Sequence, residues 1–260
     1  MSPAEISEAG ADYPEAAAVS FEPARLNAVL QTQGALLLRG LFPQDLIVRL
    51  HQAVADTYAK TEQQLVAGTL PPDFYQSLYR YGHVRRSQIA GYDALEAELM
   101  GQPLLRRLLQ ARYGSEVMLL SQNTLPRRQD PAQPERAIAL HQDQEFAGPL
   151  RSGLNLWIPL TPAGGEAPGL EIWLGHPQVP LLALDMPDAL RAQVLANFAP
   201  CQRWRPVLQP GDALLLSFFT LHQTWVTPEM QQLRLSHEMR LASAQDTALS
   251  LSPLSRWFLD

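Results

Sequence analysis

The fold is most clearly indicated by residues 211–241, GDALLLSFFTLHQTWVTPEMQQLRLSHEMRL. A turn at Pro210 and the two residues after it opens the stretch, and runs of β-forming residues predict strands at 213–219 and 222–226. From residue 233 to residue 241 polar and apolar side chains alternate, which is typical of a strand with one face toward a core. Short strands separated by tight turns in this way indicate a β-sandwich or barrel.

The regions on the amino-terminal side of this stretch complete the predicted architecture. We predict further strands at 35–42, 117–125, 137–143, 153–160, 170–174 and 203–208, and helices at 23–33, 43–67, 94–113 and 188–198. The fold class is therefore mainly β with flanking helices, a double-stranded β-helix or jelly roll of the cupin-like type. Because the sequence shows neither an internal repeat nor an interior linker, we expect a flexible N-terminal arm at 1–20 and a single domain at 21–260.

Composition and charge exclude several classes of function. The formal net charge is -6, and the 20 basic residues are scattered along the chain, so the sequence does not predict nucleic-acid binding. Apolar runs are too short for a membrane span, and the N-terminus does not resemble a signal peptide. The chain has one cysteine, Cys201, which we interpret as structural. We expect a cytoplasmic protein that does not act at a membrane.

Two histidines and one aspartate are the candidate metal ligands. His141 and Asp143 stand two apart in IALHQDQEF, on the predicted strand 137–143, so both side chains should leave the same face. His222 begins a later strand and offers a third ligand. Two imidazoles and one carboxylate form the facial triad that binds Fe(II) and leaves coordination positions open. For the His141 and Asp143 pair alone, a buried imidazole oriented by a carboxylate is the alternative interpretation.

Arg234 is the candidate partner for an anionic co-substrate. It follows His222 by 12 residues and shares the polar face of its strand with Ser236, Glu238 and Arg240. An inward guanidinium in this position can hold the far end of a dicarboxylate in a bidentate, charge-assisted pair. The alternative is an ordinary ion pair between neighbouring strands. The neighbouring His237 points the other way, and we expect it to be packed.

The chain resembles the phytanoyl-CoA dioxygenase family of non-haem iron oxygenases. The resemblance is carried by GALLLRGLFP (34–43), HQDQEF (141–146), LNLWIPL (154–160), APGLEIWLGHP (167–177) and the stretch that opens at residue 211. It implies a jelly roll, iron bound by the residues already named, 2-oxoglutarate as co-substrate held by Arg234, and O2. It further implies that Asn123, Trp157 and Thr224 line the co-substrate pocket, with Arg240 as the alternative to Arg234. GLEIWLGHP stands where a Pro-Gly-Ser-His-type turn is common in the family, and we expect this difference to alter the substrate side of the pocket.

The reaction that the resemblance implies is hydroxylation of a small molecule, with conversion of 2-oxoglutarate to succinate and CO2. The triad alone also permits a jelly-roll hydrolase or isomerase with another metal, or a binding protein without turnover. The segment LPPDFYQSLYRYGHVRRSQIAGY, residues 70–92, combines tyrosines and arginines and could contact an anionic or ring-bearing substrate. Its alternative interpretation is a solvated surface loop. The identity of the substrate and the oligomeric state do not follow from the sequence.

Overall fold

The computed structural model describes residues 13–17, 22–77, 79–147, 150–175, 182, 186–196, 198, 201–246 and 254–259. The α-helices are α1 (Pro23–Gln33), α2 (Gln44–Val66), α3 (Pro72–Ser77), α4 (Tyr92–Met100), α5 (Pro103–Tyr113), α6 (Gln144–Ala147) and α7 (Asp188–Ala196). The strands are β1 (Glu15–Ala17), β2 (Ala35–Arg39), β3 (Glu116–Leu120), β4 (Leu125–Gln129), β5 (Leu154–Pro159), β6 (Gly169–Leu174), β7 (Gln202–Trp204), β8 (Ala213–Ser217), β9 (His222–Trp225), β10 (Arg234–Ser243) and β11 (Leu254–Phe258).

The strands form a large sheet and a small sheet, neither of them closed. The large sheet has the order β1-β2-β8-β5-β10-β3-β11, and β4 also pairs with β10. One edge of the long strand β10 pairs with β5, and the other edge is shared, because β4 covers its first half and β3 its second half. The small sheet has the order β7-β6-β9. This is the jelly-roll class that the sequence predicts, with open sheet edges.

Two apolar layers follow from the alternation of side chains along the strands. Between the sheets, Trp157 and Leu214 of the large sheet pack with Leu170 and Ile172 of the small sheet. On the other face of the large sheet, residues such as Leu156 pack against the helices. The inner face of β5 therefore carries Trp157 while its outer face carries leucines, as a period of two requires.

Several element predictions need correction. Residues 137–143 do not form a strand, because backbone pairing there is limited to Ile138 and to a bridge at His141, and helix α6 begins at residue 144. The predicted strand 117–125 is two strands, β3 and β4, separated by a 3-10 turn. The predicted strand 203–208 is the short β7 followed by a bridge at Leu208. The 70–92 segment contains α3 and two 3-10 turns.

Part of the predicted N-terminal arm forms a strand, and the predicted helices on either side of the 70–92 segment are present. Residues 15–17 of the predicted arm pair with β2 in parallel as β1, while residues 1–12 and 18–21 lie outside the described residues. The long helix predicted at 43–67 is α2, and the helix predicted at 94–113 is interrupted between α4 and α5, as Gly101 and Pro103 indicate. None of the helices within the described ranges is long and apolar enough to span a bilayer.

Candidate active site

Three buried side chains meet between the two sheets. His141, Asp143 and His222 each offer a ligand atom, and these atoms lie within 4.8 Å of one another. Each of the three residues is buried. The imidazole rings of His141 and His222 have their centroids 4.3 Å apart. Residues that are distant in sequence thus form one compact group of nitrogen and oxygen donors.

Backbone pairing brings the two histidines together. The amide nitrogen of His141 donates to the carbonyl of His222 at 3.0 Å, and the reverse bond has the same length. Further along, Thr224 donates its amide to the carbonyl of Ile138 at 3.0 Å, and its hydroxyl oxygen accepts the amide of Ile138 at 3.3 Å. The segment that precedes His141 is therefore joined to β9, which fixes the two imidazoles on the same side.

The hydrogen bonds of the imidazoles leave one nitrogen of each ring free for a metal. Nδ1 of His141 lies 2.8 Å from the carbonyl oxygen of Ala139, and Nδ1 of His222 lies 2.9 Å from that of Thr220. Because a carbonyl oxygen can only accept, each Nδ1 carries the proton and each Nε2 presents a lone pair. Burial lowers the pKa of His141 to about 3, with His222 as the next cause, so this ring is neutral near pH 7.

Asp143 is held as a carboxylate by two neighbours on the inner face of the large sheet. The side-chain amide of Asn155 donates to its Oδ2 at 2.8 Å, and the guanidinium of Arg240 donates to its Oδ1 at 2.8 Å. Burial alone would raise the pKa of Asp143, but the guanidinium of Arg240 outweighs it and holds the pKa well below its usual range. Asp143 therefore stays ionised and oriented toward the histidines.

The guanidinium of Arg240 is occupied by hydrogen bonds to its neighbours in the site. Besides Asp143, it donates to Oε2 of Glu238 at 3.0 Å and to the carbonyl of Asn123 at 2.7 Å. Its charge is therefore compensated by two carboxylates. Arg240 is thus poorly suited to the alternative role of co-substrate partner, and its contacts are those of a positioning residue for Asp143.

Helix α7 clamps the segment that carries His141 and Asp143. Arg191 donates to Oε2 of the buried Glu145 at 2.9 Å and to the carbonyl of Leu140 at 3.3 Å. Oε1 of Glu145 in turn accepts the amide of Gln142 at 3.1 Å. The segment is thereby tied on both sides of the two candidate ligands, and the inserted helix forms part of the site.

Arg234 lies deep between the sheets, and its charge is not compensated. The residue is 0% exposed, its NH1 donates to the carbonyl of Gly169 at 2.9 Å, and its guanidinium lies 5.4 Å from the centroid of the Trp157 ring. Its Nε and NH2 have no partner among the described residues, and it forms no ion pair with any of them. Burial, with the neighbouring Arg127 as the next cause, lowers the pKa of Arg234 to about 9.

Further polar atoms without partners line the same inner face. Among the described residues, buried side-chain atoms that lack a hydrogen bond include Oγ of Ser236, Nε1 of Trp157, Nε of Arg127 and Oδ1 of Asn155. On β10, Ser236 lies opposite Arg127 of β4, and Arg240 lies opposite Asn155 of β5. Buried polar groups normally have partners, so a cluster of exceptions on adjacent strands indicates space for a polar ligand.

The residues predicted for the co-substrate pocket have different surroundings. Trp157 stacks beside Arg234, Thr224 is bonded to the backbone of Ile138, and Asn123 contributes its carbonyl to Arg240. His237 is fully buried on the outer face, where its Nε2 lies 2.6 Å from the hydroxyl of Tyr92. It is packed, as the alternation predicts.

The sequence interpretation missed Asn155, Arg127 and Arg191. A signal existed for Asn155, since it alternates with Trp157 in LNLWIPL and so shares its inward face. Arg127 gave no signal, because β4 was not recognised as a separate strand. Arg191 could not be placed, because its contact with Glu145 joins parts of the chain that are distant in sequence.

A surface groove is bordered by the 70–92 segment. Two adjoining cavities of about 610 and 400 Å³ share Arg86, Ser87 and Ser121 in their walls. The smaller one is also lined by Arg85 and Leu125. The segment faces the groove through its arginine-rich turn and through Tyr92, which lines the larger cavity, whereas the buried Tyr79 is in the wall of neither cavity.

Comparisons with known proteins agree with these observations. The model of the phytanoyl-CoA dioxygenase family (PhyH) matches residues 30–225. The 1-deoxypentalenic acid 11-beta-hydroxylase of Streptomyces arenae is 22% identical over 253 residues, which cover 92% of this chain and 88% of that protein. The iron/alpha-ketoglutarate-dependent dioxygenase penM of Penicillium thymicola is 27% identical over 206 residues, which cover 74% of this chain and 59% of that protein.

A solved structure has the same fold. The non-heme alpha ketoglutarate dependent carbocyclase SnoK from nogalamycin biosynthesis superposes with a TM-score of 0.60 at 16% sequence identity. The superposition covers 91% of this chain and 93% of that chain. The two sheets and their flanking helices are therefore a jelly roll of the kind that occurs in oxygenases.

Proposed function

This chain belongs to the phytanoyl-CoA dioxygenase family of iron- and 2-oxoglutarate-dependent dioxygenases, and we propose that it holds its iron with His141, Asp143 and His222. The observation that carries the assignment is the convergence of three buried donor atoms within 4.8 Å of one another. The enzyme acts on a small molecule. When bound, iron with 2-oxoglutarate and O2 supplies the oxidising chemistry, by which the oxoacid becomes succinate and CO2 and a substrate C–H bond is hydroxylated.

The donor set fits an iron(II) ion. Two imidazoles and one carboxylate are the ligands of the facial triad, which leaves positions open for an oxoacid and O2. The carbonyls behind the Nδ1 atoms of His141 and His222 orient both rings, and Asn155 with Arg240 orients Asp143. These outer contacts raise the affinity of a metal site because the ligands need not reorganise on binding.

Arg234 supports the binding of 2-oxoglutarate. A buried guanidinium without an acidic partner is unfavourable in the empty protein and becomes favourable when a carboxylate pairs with it. Its unpaired Nε and NH2 can donate to both oxygens of one carboxylate, in the bidentate geometry that arginine prefers. The hydroxyl of Ser236 and the indole N–H of Trp157 are further unpaired donors on the same inner face.

The chain's own residues then divide the work of the reaction. Arg234 holds the distal carboxylate of the co-substrate, and the buried walls around Trp157 exclude water from it. Asn155 and Arg240 keep Asp143 ionised and in place. Asn123 takes part through its carbonyl, which holds Arg240, and Thr224 takes part by fixing the segment that precedes His141.

The groove beside the 70–92 segment is the proposed entrance for an anionic or ring-bearing substrate. The Arg85 side chain is 47% exposed, and its nearest acid, Asp73, lies 3.6 Å away with 78% of its side chain exposed. An ion pair this exposed is weak, so Arg85 can exchange it for an anionic group of the substrate. The guanidinium also lies 5.0 Å from the centroid of the buried Phe74 ring, so the charge is packed against an aromatic side chain. A cytoplasmic location remains a prediction.

Reconstitution without oxygen tests the metal and co-substrate assignments. Fe(II) and 2-oxoglutarate added to the wild-type protein should produce a weak visible charge-transfer band. The His222→Ala variant should lose the band, while His51→Ala, on α2 and outside the site, should keep it. Persistence of the band in His222→Ala would contradict the metal assignment, and an unchanged 2-oxoglutarate affinity in Arg234→Met would contradict the co-substrate assignment.

A further inference from the structure

Arg127 is a second buried guanidinium on the inner face, and the iron and 2-oxoglutarate assignments leave it without a role. We propose that Arg127 binds a carboxylate of the substrate, so that the enzyme selects small molecules with a single negative charge. This inference rests on the proposed function, because it assumes that Arg234 serves the co-substrate. The burial of Arg127, the charge balance of the cavity and the course of the groove support it.

The contacts of Arg127 leave its charge uncompensated. The residue is 2% exposed, and its NH2 donates to Oε1 of Gln129 at 3.2 Å and to the carbonyl of Arg136 at 2.8 Å. Both acceptors are neutral, and its Nε has no partner among the described residues. A buried cation of this kind is costly unless a charged ligand joins it. Arg127 therefore has the environment of a binding residue and not that of a structural ion pair.

The charges around the site indicate the charge of the missing ligand. Among the described residues, this inner face carries three guanidiniums, those of Arg127, Arg234 and Arg240, and two carboxylates, those of Asp143 and Glu238. Arginine stays protonated in proteins. Adding a divalent iron and the dianion of 2-oxoglutarate leaves one positive charge. A substrate with one carboxylate would neutralise the cavity, whereas a neutral substrate would leave a buried charge unpaired.

The path of the groove leads to Arg127. Leu125 lines the groove, and Arg127 is two residues further along the same strand, so both side chains lie on one face about 7 Å apart. On the opposite strand, Leu125 faces Glu238 and Arg127 faces Ser236. The 70–92 segment runs along the edge of β4, because His83 of that segment forms a β-bridge with Arg127. A ligand that enters past Leu125 thus reaches Arg127 before Arg234.

The co-substrate does not need Arg127. One carboxylate of 2-oxoglutarate binds the metal and the other requires a single bidentate partner, which Arg234 provides. Arg127 is closer than Arg234 to the metal end of β10, since it lies opposite Ser236 and its charge acts on Glu238 and Arg240. The position fits a substrate bound beside the co-substrate.

Binding of matched acids and amides tests this proposal. Enzyme loaded with Mn(II), which does not turn over, and saturated with 2-oxoglutarate is titrated with ring-bearing and acyclic monocarboxylates, starting with cyclohexanecarboxylate, and with their amides. At least one acid should bind about tenfold more tightly than its amide, as expected for a charge-assisted hydrogen bond. Arg127→Gln should remove this preference and change the 2-oxoglutarate dissociation constant less than twofold. Arg127→Lys should keep part of the preference.

Arg128→Gln is the matched control, because Arg128 is the next residue on β4 and pairs with Glu62 away from the cavity. It should keep the preference for acids. The proposal is overturned if no acid binds the wild-type enzyme more tightly than its amide, a result that does not depend on any variant folding. It is also overturned if Arg127→Gln weakens 2-oxoglutarate binding tenfold. Absence of the visible charge-transfer band from wild-type protein reconstituted with Fe(II) and 2-oxoglutarate would instead refute the proposed function.

Discussion

Replacing Arg234 with methionine should make the metal-free protein more stable while removing its response to 2-oxoglutarate. The reason is that the guanidinium is buried without an acidic partner in the empty site. Methionine is apolar and flexible, and can fill most of the space of the arginine side chain. Arg234 is thus expected to lower the stability of the empty protein and to be needed for binding of the anionic co-substrate.

The magnitude follows from the contacts of Arg234. Its pKa is lowered from 12.5 to about 9, which corresponds to about 5 kcal/mol of unfavourable charge burial. Removing the side chain also leaves the carbonyl of Gly169 without its donor, which costs about 1–3 kcal/mol. The charge effect is larger. The variant should therefore be about 2–4 kcal/mol more stable than the wild type, if most of the burial cost is recovered.

Urea denaturation with and without ligands measures both effects. Without metal, Arg234→Met should unfold at a higher urea concentration than the wild type. With Mn(II) and 2-oxoglutarate at about 100 times the dissociation constant, the wild type should gain about 2.7 kcal/mol, and the variant should show no gain from 2-oxoglutarate. Arg128→Met, which breaks the ion pair with Glu62, should be destabilised in both conditions. A metal-free Arg234→Met protein that is less stable than the wild type would contradict an uncompensated buried charge at Arg234.

Three further predictions concern the surroundings of the site. Asn155→Ala removes the amide that holds Oδ2 of Asp143 and should weaken metal binding about 10-fold to 100-fold; an unchanged affinity in a metal titration would contradict this role. Burial lowers the pKa of His237 to about 4, below its value of about 6.5 in the unfolded chain. The unfolded state therefore binds the proton first, and the contribution of His237 to stability should be complete above about pH 6.5 and should fall by about 3 kcal/mol as the pH drops to about 4. His237→Gln should flatten this part of the pH profile of the urea midpoint, and an unaltered profile would exclude His237 as its source. A Cβ at Gly153 would lie 1.9 Å from the ring of the buried Phe218, so Gly153→Ala should cost about 1–3 kcal/mol, and an unchanged melting temperature would show that the ring can move.

The parts of the site that lie on regular strands could be predicted from the sequence. The alternation along β10 places Arg234 inward and His237 outward, and burial and contacts agree with both. The apolar run followed by His222 likewise predicted β8 and β9. In these elements the alternation of side chains is sufficient to predict which residues point inward, because each strand has a partner on either side or a core on one face.

The structure of residues 137–143 and of β4 was not predicted from the sequence, and the reason is physical in each case. The residues 137–143 have a strand-like composition, but backbone pairing there is limited to two positions on β9, and the chain then enters α6. Strand β4 was missed because Pro126 suggests a turn. Proline is tolerated there since β4 is an edge strand, whose side away from β10 meets a bridge at His83. The role of Arg127 depended on recognising that strand.

The ten residues of β10 determine the spacing between the two ends of the cavity. Arg234 and Arg240 lie six residues apart on its inner face, so their Cα atoms are separated by about 20 Å of extended backbone. An insertion or deletion of one residue between them would turn one of the two outward. Length changes in the 70–92 segment or around α7 leave this distance intact. Homologues should therefore differ in the segments that border the groove and keep β10 at constant length, and chimeras that exchange only the bordering segments should alter which substrate is accepted without loss of the co-substrate.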